Sequence, residues 1–192
     1  MAVKKIKSGN TLRIIGGQFR GRKLSFADLP GLRPTGDRLR ETLFNWLAPQ
    51  IFGSRCLDLY TGSGALALEC LSREAIHVTA LDQAKLVIDT LQSHANTLKT
   101  TGLSLHNHDA LNWLEGSREA PFDIVFIDPP FDQNLWQATI DKLSEHGHLN
   151  PNAAVYIESG RDCPYATPAQ WVLHREKTAG QVTSRLYFNE AN

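Results

Sequence analysis

CLDLYTGSGALALE, residues 56–69, decides the fold. A short apolar run broken only by Asp58 meets Thr61, Gly62, Ser63 and Gly64 and passes at once into residues that favour a helix. A strand running through two glycines into a helix is the opening unit of an open α/β sheet. Gly62 and Gly64 let the chain turn tightly and let a ligand approach the amides at the helix N-terminus. Gly62, Gly64 and Ala67 keep the spacing of a dinucleotide-binding turn, and Asp82 falls 20 residues after Gly62, where a ribose ligand is expected. The turn by itself admits NAD or another adenosine-bearing cofactor.

Reading outward, strand and helix patterns alternate. HVTALD is a strand and AKLVIDTLQSHANTLKTTG a helix closed by Gly102; SLHNHD is a strand, ALNWLEGS a helix, FDIVFID a strongly apolar strand. LWQATIDKLSEHG is a helix, AAVYIES a strand, and WVLHREKTA faces QVTSRLYF across Ala179–Gly180 as a hairpin. Such alternation predicts a seven-stranded, doubly wound, mostly parallel sheet with an antiparallel C-terminal hairpin. Upstream, TLRIIGGQFRGRKLSF reads as a small hairpin with GlyGly at its bend. DLPGLRPTG reads as a loop. DRLRETLFNWLA reads as a helix with Asp37 as its N-cap and Pro49 at its stop. The expected division is a basic hairpin and helix over 1–50 and a cofactor-binding catalytic part over 51–192.

Three acids follow three successive strands: Asp58, Asp82 and Asp109. Ligands of open α/β sheets bind at that edge. Asp58, four residues before Gly62, would repel a pyrophosphate and welcome an ammonium. Acid-x-x-x-Gly-x-Gly resembles the first motif of class I S-adenosylmethionine methyltransferases. That resemblance implies a place near the cofactor for Tyr60, Gly62 and Gly64, ribose hydroxyls on Asp82, and the adenine amine on Asp109 with the Ala110 N–H on the ring. Taken singly, Asp82 or Asp109 is also a plausible helix N-cap.

FDIVFIDPPF, residues 122–131, ends a buried strand on an acid and two prolines. An exocyclic base amine is a poor nucleophile, because its lone pair is delocalised into the ring. Two acceptors on its N–H bonds pull the nitrogen toward a tetrahedral shape. Asp128 supplies one acceptor and the Pro129 carbonyl the other, with Pro129 and Pro130 stiffening the backbone. Phe131 offers a face for stacking, worth roughly 1–3 kcal/mol.

Charge is unevenly spread. Residues 1–40 hold ten Lys/Arg against two Asp, and the rest of the chain holds ten against eighteen acids. Arg13, Arg20, Arg22, Lys23, Arg38 and Arg40 suit a polyanionic partner, a nucleic acid. No run of about 18 apolar residues is present, and no signal-peptide core follows the basic start, so a cytoplasmic location without membrane is expected. Cys56, Cys70 and Cys163 lack any CxxC pair and predict neither disulfide framework nor zinc site. The pairs His106/His108 and His146/His148 have no third ligand nearby, so no metal is expected. No repeated apolar patch stands out, which predicts a monomer.

DPPF resembles the [DNS]PP[FYW] motif of amino-methyltransferases acting on adenine N6, cytosine N4 or guanine N2. RIIGGQFRGRKL (13–24), GLRPTGDRLRETLFNWL (31–47) and HREKTAGQVTSRLY (174–187) narrow it further. With the glycine turn and FIDPPF, they are closely similar to the bacterial RsmD-type family of small-subunit rRNA guanine-N2 methyltransferases. The resemblance implies S-adenosylmethionine as cofactor and one guanine N2 of 16S rRNA as substrate, in the small subunit or its assembly intermediate. It also implies that Arg33, Pro34 and Thr35 close over the cofactor. Leu59-Tyr60-Thr61 departs conservatively from the Phe-Ala that often precedes the glycines. Two other readings stand beside this one: an adenine-N6 DNA methyltransferase with the same clamp, and a non-catalytic ribosome-assembly factor.

Overall fold

A computed structural model describes residues 10–26 and 36–190 of the 192-residue chain. β1 (Asn10–Arg13) pairs antiparallel with β2 (Lys23–Phe26), and α1 follows at Asp37–Trp46. The main sheet is built from β3 (Arg55–Asp58), β4 (His77–Asp82), β5 (Leu103–Asn107), β6 (Phe122–Ile127), β7 (Leu149–Gly160), β8 (Trp171–Ala179) and β9 (Val182–Asn189). Between them run α2 (Ala65–Ser72), α3 (Lys85–Leu98), α4 (Ala110–Gly116) and α5 (Trp136–Glu145). The spatial order is β5-β4-β3-β6-β7-β9-β8. β3 to β7 are parallel, while β9 slots antiparallel between β7 and β8. That is the doubly wound sheet the sequence predicts.

Adjacent residues of the central strands bury opposite faces, which is why those strands are apolar throughout. Cys56, Ile124, Phe126, Ala154 and Tyr156 meet Leu43, Phe44 and Leu47 of α1 and its end together with Ala67 and Cys70 of α2. Leu57, Val125, Ile127, Val155 and Ile157 meet Trp113 and Leu114 of α4 and Trp136, Ile140 and Leu143 of α5. The order reverses between β3 and β6, so a crevice opens at their carboxyl ends. Asp58 closes β3 and Asp128 follows β6 there.

The N-terminal hairpin is fastened by polar bonds as well as by its own apolar face. Leu12, Ile14, Leu24 and Phe26 bury against Ala65 and Leu68 of α2 and Val87, Leu91 and Leu98 of α3. Glu69, fully buried on α2, accepts from the amides of Ile15 and Gly16, each at 2.8 Å, and from Arg73 Nε at 2.8 Å. The GlyGly pair opens a bend that runs from Ile14 to Arg22, closed by Ile14 N to Arg22 O at 3.0 Å.

Two local expectations are corrected. Gly36, not Asp37, occupies the N-cap of α1; the Asp37 carboxylate instead accepts from Arg40 at 2.6 Å and Arg13 at 3.1 Å. Arg40 does not face a nucleic acid. It exposes 1% of its surface, donates to Arg13 O at 3.0 Å and lies 4.0 Å from Glu69. A guanidinium buried beside a buried carboxylate serves the interior.

Candidate active site

Gly64 starts α2 in the left-handed region, φ 77°, and a Cβ there would lie 1.9 Å from Leu91 Cδ2. Glycine is therefore required for α3 to pack across the turn. The turn is one wall of a cavity of about 730 Å³ at the carboxyl edge of the sheet. Asp58, Tyr60, Gly62, Asp82, Ala110, Asp128, Pro129, Pro130 and Phe131 all line it. Gly64 and Asp109 lie just outside that lining. Arg33, Pro34 and Thr35 fall outside the described residues.

Each acid is held in a defined way. Thr61 Oγ1 donates to Asp58 Oδ2 at 2.9 Å. Burial pushes the Asp58 carboxyl up to about 7, against the Thr61 hydroxyl and backbone bonds that favour its charge and with Asp82 adding repulsion. Asp82 accepts from the Gly62 amide at 3.1 Å and the Ala84 amide at 2.8 Å, so it ties the glycine turn to the start of α3; burial raises its pKa. Asp109 is the N-cap of α4. It accepts from Asn112 N at 2.8 Å, and Gln83 Nε2 donates to its other oxygen at 2.5 Å. The Tyr60 hydroxyl lies 2.5 Å from Thr139 Oγ1, and burial raises the phenol to about 12, so it stays neutral.

Asp128 is flanked on both sides. Ile127 pairs with Ile157 in the parallel β6–β7 register, which sets Asp128 beside Glu158 on the next strand. Burial pushes Asp128 well up, and the charges of Glu158 and then Asp58 push it further. Burial raises Glu158 too, opposed by the Tyr156 hydroxyl that donates to Oε2 at 2.8 Å. Phe131 is 46% exposed and meets Trp136 edge-on at 5.4 Å, so its ring is a rim surface rather than core.

Glu158, Gln83, Gln133 and Val182 also line the cavity and were not singled out from sequence; His108, weighed there only as a metal ligand, lines it too. Glu158 was findable. It ends the apolar run AAVYI just as Asp82 and Asp128 end theirs. Asp58, Asp82, Asp128, Asp132 and Glu158 thus surround the space, and among the described residues no Lys or Arg lines it. Such a wall repels a pyrophosphate and fits a cation or the donor edge of a base. Among the described residues no group of three or more His, Cys, Asp and Glu is placed to hold a metal.

Of the arm's cations, Arg13, Arg20, Arg22, Lys23 and Arg38 are exposed. Arg20 and Arg22 sit on the bend, which docks at the carboxyl end of α2 through Gln18 N to Ser72 O, 2.7 Å, and Phe19 N to Ser72 Oγ, 2.9 Å. The eight residues of α2 separate that end from the glycine turn by about 12 Å, at roughly 1.5 Å per residue.

Comparison with known proteins finds relatives along nearly the whole chain. The family model described as conserved hypothetical protein 95 matches residues 12–188. The "Ribosomal RNA small subunit methyltransferase D" of Escherichia coli K12 is 50% identical over 181 residues, covering 94% of this chain and 91% of that one. The protein of the same name from Haemophilus influenzae is 47% identical, covering 97% of this chain and 100% of that one. A solved structure of the Escherichia coli protein yhhF superposes with a TM-score of 0.86 at 49% identity, covering 95% of this chain and all of that one. The chain belongs to the conserved hypothetical protein 95 family, the family of the small-subunit rRNA methyltransferases D.

Proposed function

We propose that the chain is an S-adenosylmethionine-dependent rRNA methyltransferase that modifies the exocyclic N2 of one guanine in 16S rRNA. The observation that carries this reading is the row of acids at successive strand ends with Asp128-Pro129-Pro130-Phe131 at its centre. The names of relatives at 47–50% identity support rRNA of the small subunit as the substrate class.

The cavity suits the cofactor by charge. Asp58 would hold the ammonium of its methionyl end, Asp82 its ribose hydroxyls, and Ala110 N–H and Asp109 its adenine. Asp82 and Asp109 already accept from protein donors, so those bonds would be shared or exchanged on binding. When bound, S-adenosylmethionine supplies a methyl carbon made electrophilic by its positive sulfur. The chain's own task is alignment. Asp128 and the Pro129 carbonyl take the two N2 hydrogens, and the exposed Phe131 ring stacks on the base. The raised pKa of Asp128 suits it to hold the proton that N2 sheds. An unpaired loop guanine is the least costly base to bring into such a site. Arg13, Arg20, Arg22, Lys23 and Arg38 would contact phosphates.

The test offers labelled cofactor to small subunits lacking the modification, to naked rRNA and to duplex DNA. The expected product is N2-methylguanine in small-subunit rRNA, recovered by nuclease digestion and mass analysis. The variant Asp128→Ala should bind cofactor yet lose more than tenfold in rate, above about 1.4 kcal/mol. Label in duplex DNA, or activity surviving in that variant, overturns the reading.

A further inference from the structure

Across the sheet, the cavity has two sides. Asp82 after β4 and Asp58 after β3, with the glycine turn, lie on one side of Asp128. On the other side are β7 and β9, which contribute Glu158 and Val182 to the lining. With the cofactor on the β3–β4 side, the base must enter from the β7 side. The first polar group it meets there, next to Asp128, is Glu158. That argument rests on the function proposed above.

Glu158 is held in place. Its Oε2 accepts from Tyr156 Oη at 2.8 Å, and Tyr156 Oη lies 2.9 Å from Ser184 Oγ. Tyr156 and Ser184 are fully buried and Glu158 is 8% exposed. The phenol has a single proton and gives it to Glu158, so Ser184 donates to the phenol. Among the described residues no Lys or Arg lines the cavity, and its histidine, His108, follows β5 on the cofactor side; the charges acting on Asp128 are those of Glu158 and Asp58. Among the described residues no donor reaches Oε1, which is left for whatever occupies the cavity.

Base chemistry assigns the occupant. On guanine the ring position beside the amine on the Watson–Crick edge is N1–H, a donor. On adenine it is N1 and on cytosine N3, both lone pairs. A carboxylate beside the amine clamp pairs with the first and repels the other two. We propose that Glu158 selects guanine, its carboxylate accepting the N1–H of the base whose N2 amine Asp128 and the Pro129 carbonyl hold. A site built to take a substrate N–H discriminates strongly against an analogue that lacks it, because the buried acceptor is then unpaired.

2,6-Diaminopurine is the probe, since it keeps the 2-amine but has a lone pair at N1. It is installed by ligation at the guanine mapped in the labelling experiment, and both RNAs are assayed at pH 8 with wild type and Glu158→Gln. Wild type should favour guanine by about 100-fold or more in kcat/KM. The Gln variant, whose amide can donate to N1, should bring the ratio within about tenfold. The ratio is unaffected by the fraction of variant that folds, and competition binding of the two RNAs reads the same preference without turnover. Wild type acting on both bases within threefold, or a ratio unmoved by Glu158→Gln, overturns the role of Glu158. If wild type labels no guanine, the N2 reading itself has failed.

Discussion

Burial lifts Asp58 to about 7, so the carboxylate that would hold a cation is close to half protonated at neutral pH. The folded value lies above the ordinary carboxylate value of about 3.9, so the folded chain binds more protons between about 4 and 7. Its contribution to stability is complete below that window and is lost as pH rises through it. Binding runs the opposite way, because a cation favours the ionised form. S-adenosylmethionine should bind roughly five- to tenfold tighter at pH 7.5 than at pH 6. Titration calorimetry at both pH values checks this, with Asp58→Asn expected to flatten the difference. Equal affinities in wild type would remove Asp58 from the cofactor's charge.

Among the elements, the N-terminal hairpin depends most on one backbone position. Gly17 has φ +73°, and a Cβ there would sit 1.8 Å from Ser72 O, the carbonyl that receives Gln18 N. Gly17→Ala has neither the conformation nor the room, so the bend must lift from α2. A cost of roughly 1–3 kcal/mol is expected, lowering Tm by several degrees. A melting curve unchanged within a degree would mean that the bend is not seated there. The same hairpin hangs on Glu69, which gathers Arg40, Arg73 and two amides in the interior. This is why one of the arm's six expected phosphate contacts belongs to the fold instead.

At the scale of the molecule, cations and acids serve different ends of one surface. The acids line the cavity, and Arg20, Arg22 and Lys23 lie at or beside the bend, at the other end of α2. RNA reaching the site would then be gripped on its backbone at a distance from the base it presents. Replacing these three by Gln should lower the dependence of log affinity on log salt by about 2–3, since each phosphate contact adds roughly 0.7–0.9. Filter binding from low to physiological salt measures the slope. A slope that does not change would take the bend away from the RNA.

The order of elements, the sheet's class, the glycine turn and the Asp-Pro-Pro-Phe end of β6 were legible in the amino-acid order. Each is local: an apolar period, a required left-handed glycine, an acid at a strand's end. Glu158 obeys the same local rule, but its meaning comes from the β6–β7 register that sets it beside Asp128. Arg40 and Arg38 are two residues apart and look alike as letters. Only the packing of α1 against Glu69 turns one inward and leaves the other in solvent. Pattern along a chain reports what a residue favours. Which charges share a cavity, and which are buried as partners, depends on contacts between residues far apart in sequence, and those exist only once the sheet has closed.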